Sequence, residues 1–374
     1  MDFICDKQQL LENIAIVEKA VSKTSAPITS CILMTATEDG YFLTGNNFEM
    51  AVKTSLIPAD IKKPGSIVLE AQIFYEMIKR LPDSIVHIYN MSGAGANENI
   101  VRITSGKTDY KIMTVNEDEF TGIAEFEKTA RCSVKSSVLR NMIRQTIFSV
   151  SIDESKPVFT GELFKAEDGF FITVALDGFR VAFRRTADCD CETRISAVIP
   201  AKTLNEILKI LPQNDESMIH LYFSQSVIAF CAEAFTMTSR LIEGEFFKYE
   251  NLLGADYKTL IKINRPDFIS SIDRVSLMPG RDGKKNAVKL SIQDGLVVVS
   301  SKTDMGTAQD EVYAAADGEP LDIAFNPRYL TDALKAIDED TVEITFTTPL
   351  APCTIKPVGG GDAVYIVVPL RLQQ

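Results

Sequence analysis

Histidine is almost missing from this chain: His87 and His220 are the only two in 374 residues. A catalytic or metal centre built on imidazole would have to use one or both of them. They sit at the same place in two short alternating segments, and a third such segment has Glu343 there. A strand position that accepts His, His and Glu reads as a polar site facing outward. No nucleophile, base and oxyanion donor assemble around it, so the pattern gives no support to an enzyme.

Other absences narrow the class. No apolar run reaches the roughly 20 residues that a bilayer requires, and the opening MDFICDKQQ turns polar too soon for a signal peptide. The expectation is a soluble intracellular protein. The seven cysteines (Cys5, Cys31, Cys132, Cys189, Cys191, Cys231 and Cys353) form no regular framework, which fits a reducing compartment. Cys189 and Cys191 make CxC rather than CxxC, with no second pair or histidine at ligand distance, and read as loop thiols. The glycine runs 93–95 and 359–361 lack the lysine and hydroxyl of a phosphate loop and read as turns. Asp188, Asp190 and Glu192 begin like a calcium loop, but Thr193 and Ile199 stand where its glycine and closing glutamate belong. No cofactor, nucleotide or metal is expected. Positive charge is also in deficit: a net charge of -12 and a pI near 4.9 argue against an evenly basic surface, while allowing a small basic face inside an acidic envelope.

What is present is an ordinary globular composition, 45% hydrophobic and 24% charged, in a chain long enough for two or three domains. It is also repetitive. Ile199 to Gln213 (IPAKTLNEILKILPQ) reads as a strand end, a short amphipathic helix and a stop, with Leu204, Ile207, Leu208 and Leu211 on one face. Phe74, Met77, Ile78 and Leu81 recur in the same places upstream, and Leu330, Ala333, Leu334 and Ile337 downstream. There Asn326 suits an N-cap and Pro327 a first helical residue. Each helix precedes an alternating strand: IVHIY from Ile85, MIHLY from Met218 and TVEIT from Thr341.

The other half of each repeat is found independently. Asp39-Gly40, Asp168-Gly169 and Asp294-Gly295 lie between strand-like runs, a hairpin signal. Upstream of each lies another helical pattern: Asp6 to Val21, Lys135 to Phe148 and Asn264 to Val275. The first and third open with capping-box-like pairs, Asp6 with Gln9 and Asn264 with Asp267. A period of about 125 to 130 residues far exceeds the roughly 20 to 50 of a solenoid. The reading is an α+β chain of three tandem copies of a two-helix antiparallel-sheet domain. Boundaries fall near Glu127 and Leu253, giving domains 1–126, 127–252 and 253–374.

The basic residues repeat as well. Lys79, Lys209 and Lys335 each follow Phe74, Leu204 or Leu330 by five positions, about 140° around a helix toward its exposed side. Lys135, Arg140 and Arg144 have no acidic residue among them, and Arg265 and Arg274 belong to the third copy. In so acidic a chain, a lysine repeated in three copies suggests one shared electropositive face.

The whole chain resembles the bacterial DNA polymerase III beta subunit family, the sliding clamps. The resemblance is carried by SRLIEGEFFKY from Ser239, ALDGFRVAF from Ala175, FNPRYLTDALKAI from Phe325 and YIVVPLRL from Tyr365, in the family's order and spacing. It implies the DNA clamp fold: a head-to-tail homodimer of six domains closed into a ring, helices lining the hole. By resemblance Tyr110, Leu277 and Met278 lie at the dimer interface. Lys23, Lys79, Arg80, Lys135, Arg140, Arg144, Lys202, Lys209, Arg328 and Lys335 face double-stranded DNA, which is bound without sequence preference. A shared pocket for the replicative polymerase subunit, the clamp loader and repair proteins is implied at Phe159, Leu176, Gly178, Phe179, Arg180, Val181, Phe247, Leu252, Asn326, Tyr329, Leu350, Ile366, Val368, Pro369, Leu370 and Arg371. Leu176 departs from the family's usual threonine, Phe179 from a common histidine, Phe247 from a frequent proline and Asn251 from a basic residue. The implied function is a non-enzymatic processivity factor of the bacterial cytoplasm, at the nucleoid during replication. The alternatives are a structural homo-oligomeric scaffold and an enzyme with an unrecognised site.

Overall fold

The computed structural model describes residues 1–22, 27–90, 100–123, 128–214, 216–254, 256–277, 287–360 and 362–371. Among these are six α-helices: α1 (Lys7–Val17), α2 (Ala71–Lys79), α3 (Ser136–Arg144), α4 (Ala201–Ile210), α5 (Arg265–Val275) and α6 (Pro327–Ala336). Each copy runs in the same order: a strand leads straight into a helix, antiparallel strands follow, then a second strand leads into a second helix.

Local chemistry explains the helix starts. The Asp6 carboxylate accepts the Gln9 amide at 2.9 Å and Asn264 accepts that of Asp267 at 3.0 Å, satisfying amides that have no partner within the helix. Glu70 does the same for Ile73 at 2.6 Å, and Asn326 caps Arg328 at 3.0 Å ahead of Pro327. The repeated apolar face turns inward as expected: Phe74 and Leu204 are fully buried and Leu330 nearly so. Met77 and Leu208 stay half-buried, whereas the third copy buries both Ala333 and Leu334. Three boundaries differ from the sequence pattern. Helix α1 stops at Val17, short of Val21, and α3 at Arg144, short of Phe148, each followed by a short, tighter turn. Lys135 closes a strand (Ala130–Lys135) instead of opening α3, because its ladder partner Met218 holds it in the sheet.

The chain divides into two compact units, residues 1–137 with 202–241 and residues 138–201 with 242–374. The first holds a five-stranded sheet, in the order 60–63, 2–6, 85–90, 100–105, 108–113, with 108–113 at an edge. It also holds a run of eight strands in which 235–240 pairs antiparallel with 50–54, Met237 opposite Val52, so the sheet passes from the second copy into the first. The second unit holds a twelve-stranded run in which 180–186 pairs with 363–367, Val181 opposite Ile366, joining the second copy to the third.

Asp168 and Gly169 form a two-residue hairpin turn with φ of 52° and 82°, the left-handed pair that matches strand twist. The histidine position is polar in all three copies, and each residue is paired. His87 Nε2 lies 2.7 Å from Asp2 Oδ1, His220 Nδ1 lies 2.8 Å from the Ser133 hydroxyl, and Glu343 meets Lys262 at 3.0 Å. The expected loop thiols are corrected: Cys189–Cys191 forms a short strand, Cys189 is a free thiol and Cys191 is disulfide-bonded.

Candidate functional site

The tight turn between strands 170–176 and 180–186 organises the second unit. Asp177 Oδ1 accepts the amides of Phe179 at 2.9 Å and Arg180 at 3.1 Å, while Gly178 adopts a φ of 92° that a side chain would resist. The bend sends the two following side chains opposite ways. Phe179 is 56% exposed, and Arg180 only 7%.

A buried guanidinium requires partners for its donors, and Arg180 has three. Its Nε donates to Asp177 Oδ2 at 3.0 Å, one terminal nitrogen to Asp332 Oδ2 at 2.6 Å and the other to the Phe148 carbonyl at 2.6 Å. Its carbon also lies 4.7 Å from the Tyr329 ring centre, a cation–π contact. Phe179 stacks on the same Tyr329, centroids 6.2 Å apart and planes 21° off parallel. The tail is strapped alongside. Val368 N donates to the Phe179 carbonyl at 2.8 Å, and Leu370 N to that of Ala324 at 2.7 Å.

An apolar cluster lies beside this arrangement. Leu176, Val181 and Ile366 are buried in it, and Phe159 and Leu252 pack on it half-buried. The structure therefore gathers Phe159, Leu176, Gly178, Phe179, Arg180, Val181, Leu252, Tyr329, Ile366 and Val368 around one turn and one tail. Asn326 spends its side chain on the α6 cap, and Pro369 is half-buried between Val368 and Leu370. Phe247, Leu350, Leu370 and Arg371 are exposed, and Phe247 and Leu350 do not belong to the buried cluster. Sequence reasoning missed Asp177, Asp332 and Phe148, which fix Arg180. Asp332 had a signal, being the one acidic residue of α6.

The repeated lysines lie where the helical arithmetic put them. Lys79, Lys209 and Lys335 are all exposed. Lys79 rests 5.6 Å from the Tyr75 ring, Lys209 pairs with Glu206 at 2.7 Å, and Lys335 makes no ion pair with a described residue. Arg80 pairs with Glu76 at 3.0 Å, Lys135 with Glu216 at 2.7 Å, Arg144 with Asp338 at 2.8 Å, Arg328 with Asp332 at 3.6 Å, and Lys202 with Glu49. Arg140 is half-buried. Exposed pairs of this kind contribute about 0–1 kcal/mol, so a polyanion can displace the carboxylates at little cost. Lys23 lies outside the described residues, as does Met278.

Tyr110 sits on the edge strand 108–113 and lines a cavity of about 410 Å³ with Ile73, Met77 and Arg80. Leu277, just past α5, is 78% exposed. Among the described residues no cluster of His, Cys, Asp and Glu could hold a metal ion, and no helix is long and apolar enough to cross a membrane.

Comparison with known proteins covers the chain from end to end. The N-terminal, central and C-terminal domain models of the DNA polymerase III beta subunit match residues 1–124, 133–248 and 250–371. The beta sliding clamp of Bacillus subtilis is 32% identical over 384 residues, covering 99% of this chain and 100% of that protein. That of Staphylococcus epidermidis is 32% identical over 382 residues, covering 99% of each. Among solved structures, the DNA polymerase sliding clamp from Bacillus subtilis superposes with a TM-score of 0.94 at 31% identity, covering 100% of both chains. The DNA polymerase III beta subunit from Thermotoga maritima gives 0.90 at 27% identity, again over 100% of both.

Proposed function

The chain belongs to the DNA polymerase III beta subunit family, and from that membership we infer that it is a DNA polymerase processivity factor. It is a sliding clamp: a non-catalytic accessory subunit that encircles duplex DNA without reading its sequence and keeps the polymerase on its template. The proposed clamp domains are 1–126, 127–252 and 253–374, placed in the bacterial cytoplasm and at the nucleoid during replication.

The observation that carries the ring is internal. Each copy hands a strand to the next, at 235–240 with 50–54 and at 180–186 with 363–367. At the corresponding places in the other two copies, strand 108–113 in the first and the first half of strand 306–318 in the third have no such partner among the described residues. Tyr110 holds the place that Tyr365 has in the third copy, and Leu277 the place of Phe148 in the second. A second protomer joined head to tail would repeat the junction, seating Leu277 of one protomer against Tyr110 of the other, with Met278 beside it. The same register sets Gln309 opposite Asp109. Two protomers placed this way close a ring.

The lysines of α2, α4 and α6, with Arg80, Lys135, Arg140, Arg144, Lys202, Arg328 and Lys23, are the proposed DNA face. Cations that meet phosphates regardless of base attract DNA without fixing a register, which sliding requires. Persistence then comes from topology. The apolar cluster beside Phe179, Tyr329 and Leu370 is the proposed seat for a short peptide of the replicative polymerase, the clamp loader or repair proteins, its hydrophobic side chains entering between aromatic and aliphatic walls.

Loading the protein on nicked circular DNA with a clamp loader and then linearising the circle tests this reading. Retention on circles and run-off from cut ends is the expected result, and persistence on linear DNA would sink it.

A further inference from the structure

The turn at Asp177 has a counterpart one copy earlier, with different chemistry. Between strands 41–46 and 50–54, Asn47 Oδ1 accepts the amides of Glu49 at 3.1 Å and Met50 at 3.0 Å, as Asp177 does for Phe179 and Arg180. Asn47 N donates to the Met50 carbonyl at 3.1 Å, as Asp177 N does to that of Arg180 at 3.4 Å. Phe48 thus stands in the place of Gly178, with φ of 70° against 92°. A residue with a Cβ is disfavoured there, yet this one holds an aromatic ring 50% exposed.

The strand register agrees. Arg240 N donates to the Glu49 carbonyl at 3.1 Å, as Val368 N does to that of Phe179 at 2.8 Å. Ala51 faces Thr238 as Val181 faces Ile366. A cavity of about 150 Å³ lies at this place, its wall including Asn46, Phe48, Met50, Ile123, Thr238 and Arg240. The floor that is Leu176, Val181 and Ile366 in the later copy is here Asn46, Ala51 and Thr238. The cavity is the polar relative of the peptide seat, of the size that accepts one benzene-sized group.

Two features say what it takes. The Arg240 side chain is exposed and makes no hydrogen bond or ion pair with a described residue, while the neighbouring Glu49 is already paired with Lys202. Among the described residues the mouth therefore carries one uncompensated cation. Asn46 Nδ2 meanwhile donates to the Thr121 carbonyl at 2.8 Å and that of Gly122 at 3.3 Å, so the wall already holds backbone carbonyls of a passing segment. We propose that this cavity is a second docking seat, for a short acidic peptide segment of a partner protein, with a carboxylate on Arg240 and one aliphatic side chain packed beside Phe48. The seat lies wholly within the first unit, whereas Tyr329 belongs to the second.

The test is fluorescence anisotropy on the full chain with a labelled peptide Glu-Asp-Leu-Asp-Glu and its uncharged counterpart Gln-Asn-Leu-Asn-Gln. The acidic peptide is expected to bind at least tenfold more tightly than the neutral one. Arg240→Gln removes that preference, Arg240→Lys keeps part of it, and Phe48→Gly, which suits the backbone but removes the ring, weakens both peptides. Tyr329→Ala leaves the acidic peptide's affinity unchanged. Equal binding of the two peptides, no binding of the acidic one, or unaltered binding to Arg240→Gln overturns the proposal, and so does loss of the acidic peptide in Tyr329→Ala.

Discussion

Phe148 and Tyr365 pack ring against ring with centroids 6.0 Å apart, joining the short turn after one copy's first helix to the last strand of the next copy. In the proposed dimer, Leu277 of one protomer and Tyr110 of the other hold the same two places. Leu277→Asp puts a carboxylate where an apolar side chain would be buried, which costs both the burial and the desolvation of the charge. The dimer dissociation constant should rise at least about a hundredfold, roughly 2.7 kcal/mol, in sedimentation equilibrium. Independently, Asp109→Cys with Gln309→Cys should oxidise to a covalent dimer, because directly opposed strand residues have Cβ atoms about 5 Å apart. An unchanged dissociation constant together with no cross-link would remove the proposed junction.

Arg180 is the second test. Arg180→Ala strips the guanidinium from Asp177 and Asp332, whose side chains are only 13% and 25% exposed, and leaves the Phe148 carbonyl without its donor. Breaking a buried pair from one side costs about 3–5 kcal/mol, visible as a lower urea midpoint. An apolar pentapeptide should also bind the groove more weakly, since Tyr329 loses the cation beneath it. Arg180→Lys restores charge without the three-way fork and should recover only part of the stability. A midpoint equal to the wild type in Arg180→Ala would show the network to be idle.

The contrast between Arg180 and the lysines shows what the sequence could display. Lys79, Lys209 and Lys335 were legible because exposure follows from helical spacing against Phe74, Leu204 and Leu330, all of it local. The three-copy order was legible for the same reason, and the caps at Asp6, Asn264 and Asn326 could be read from residue type. The clamp on Arg180 was not, since Asp332 lies 152 positions away and only the pairing of strands 180–186 and 363–367 brings their copies together. Lys135 reads as helical beside Ser136 until its cross-strand partner is known. Phe48 is hidden for another reason: its left-handed backbone runs against the preference of its residue type, so only the register reveals that it matches Gly178.

Glu162 gives a prediction in pH. Its carboxyl is fully buried, and burial pushes it up to about 8, with the Thr146 and Thr173 hydroxyls pulling the other way. The Thr146 hydroxyl lies 2.5 Å from Glu162 Oε1. The folded state thus keeps a proton that the unfolded chain, near the ordinary 4.5, has released. Stability from this group is full below that lower value and is lost as pH rises through about 8. At about 1.4 kcal/mol per unit, the loss is at most roughly 5 kcal/mol. Glu162→Gln keeps the shape and an acceptor for Thr146 without titrating. Its urea midpoint should stay flat between pH 5 and pH 8 while that of the wild type falls, and parallel curves would show Glu162 to be silent.

The lysine repeat separates attraction from enclosure. Lys79→Glu, Lys209→Glu and Lys335→Glu together change only exposed positions, so the thermal midpoint should barely move. If these side chains face phosphates, each removed contact lowers the salt slope of DNA affinity by about 0.9, and the triple variant by up to about 3. Loading on circular DNA should therefore slow, most strongly at low ionic strength. A ring already closed around a circle has no end to leave by, so its lifetime there should follow dimer opening and change much less than the loading rate. Loss of lifetime in step with affinity would mean that charge, not closure, holds the protein on DNA. No change in either would return the three lysines to ordinary solvated surface.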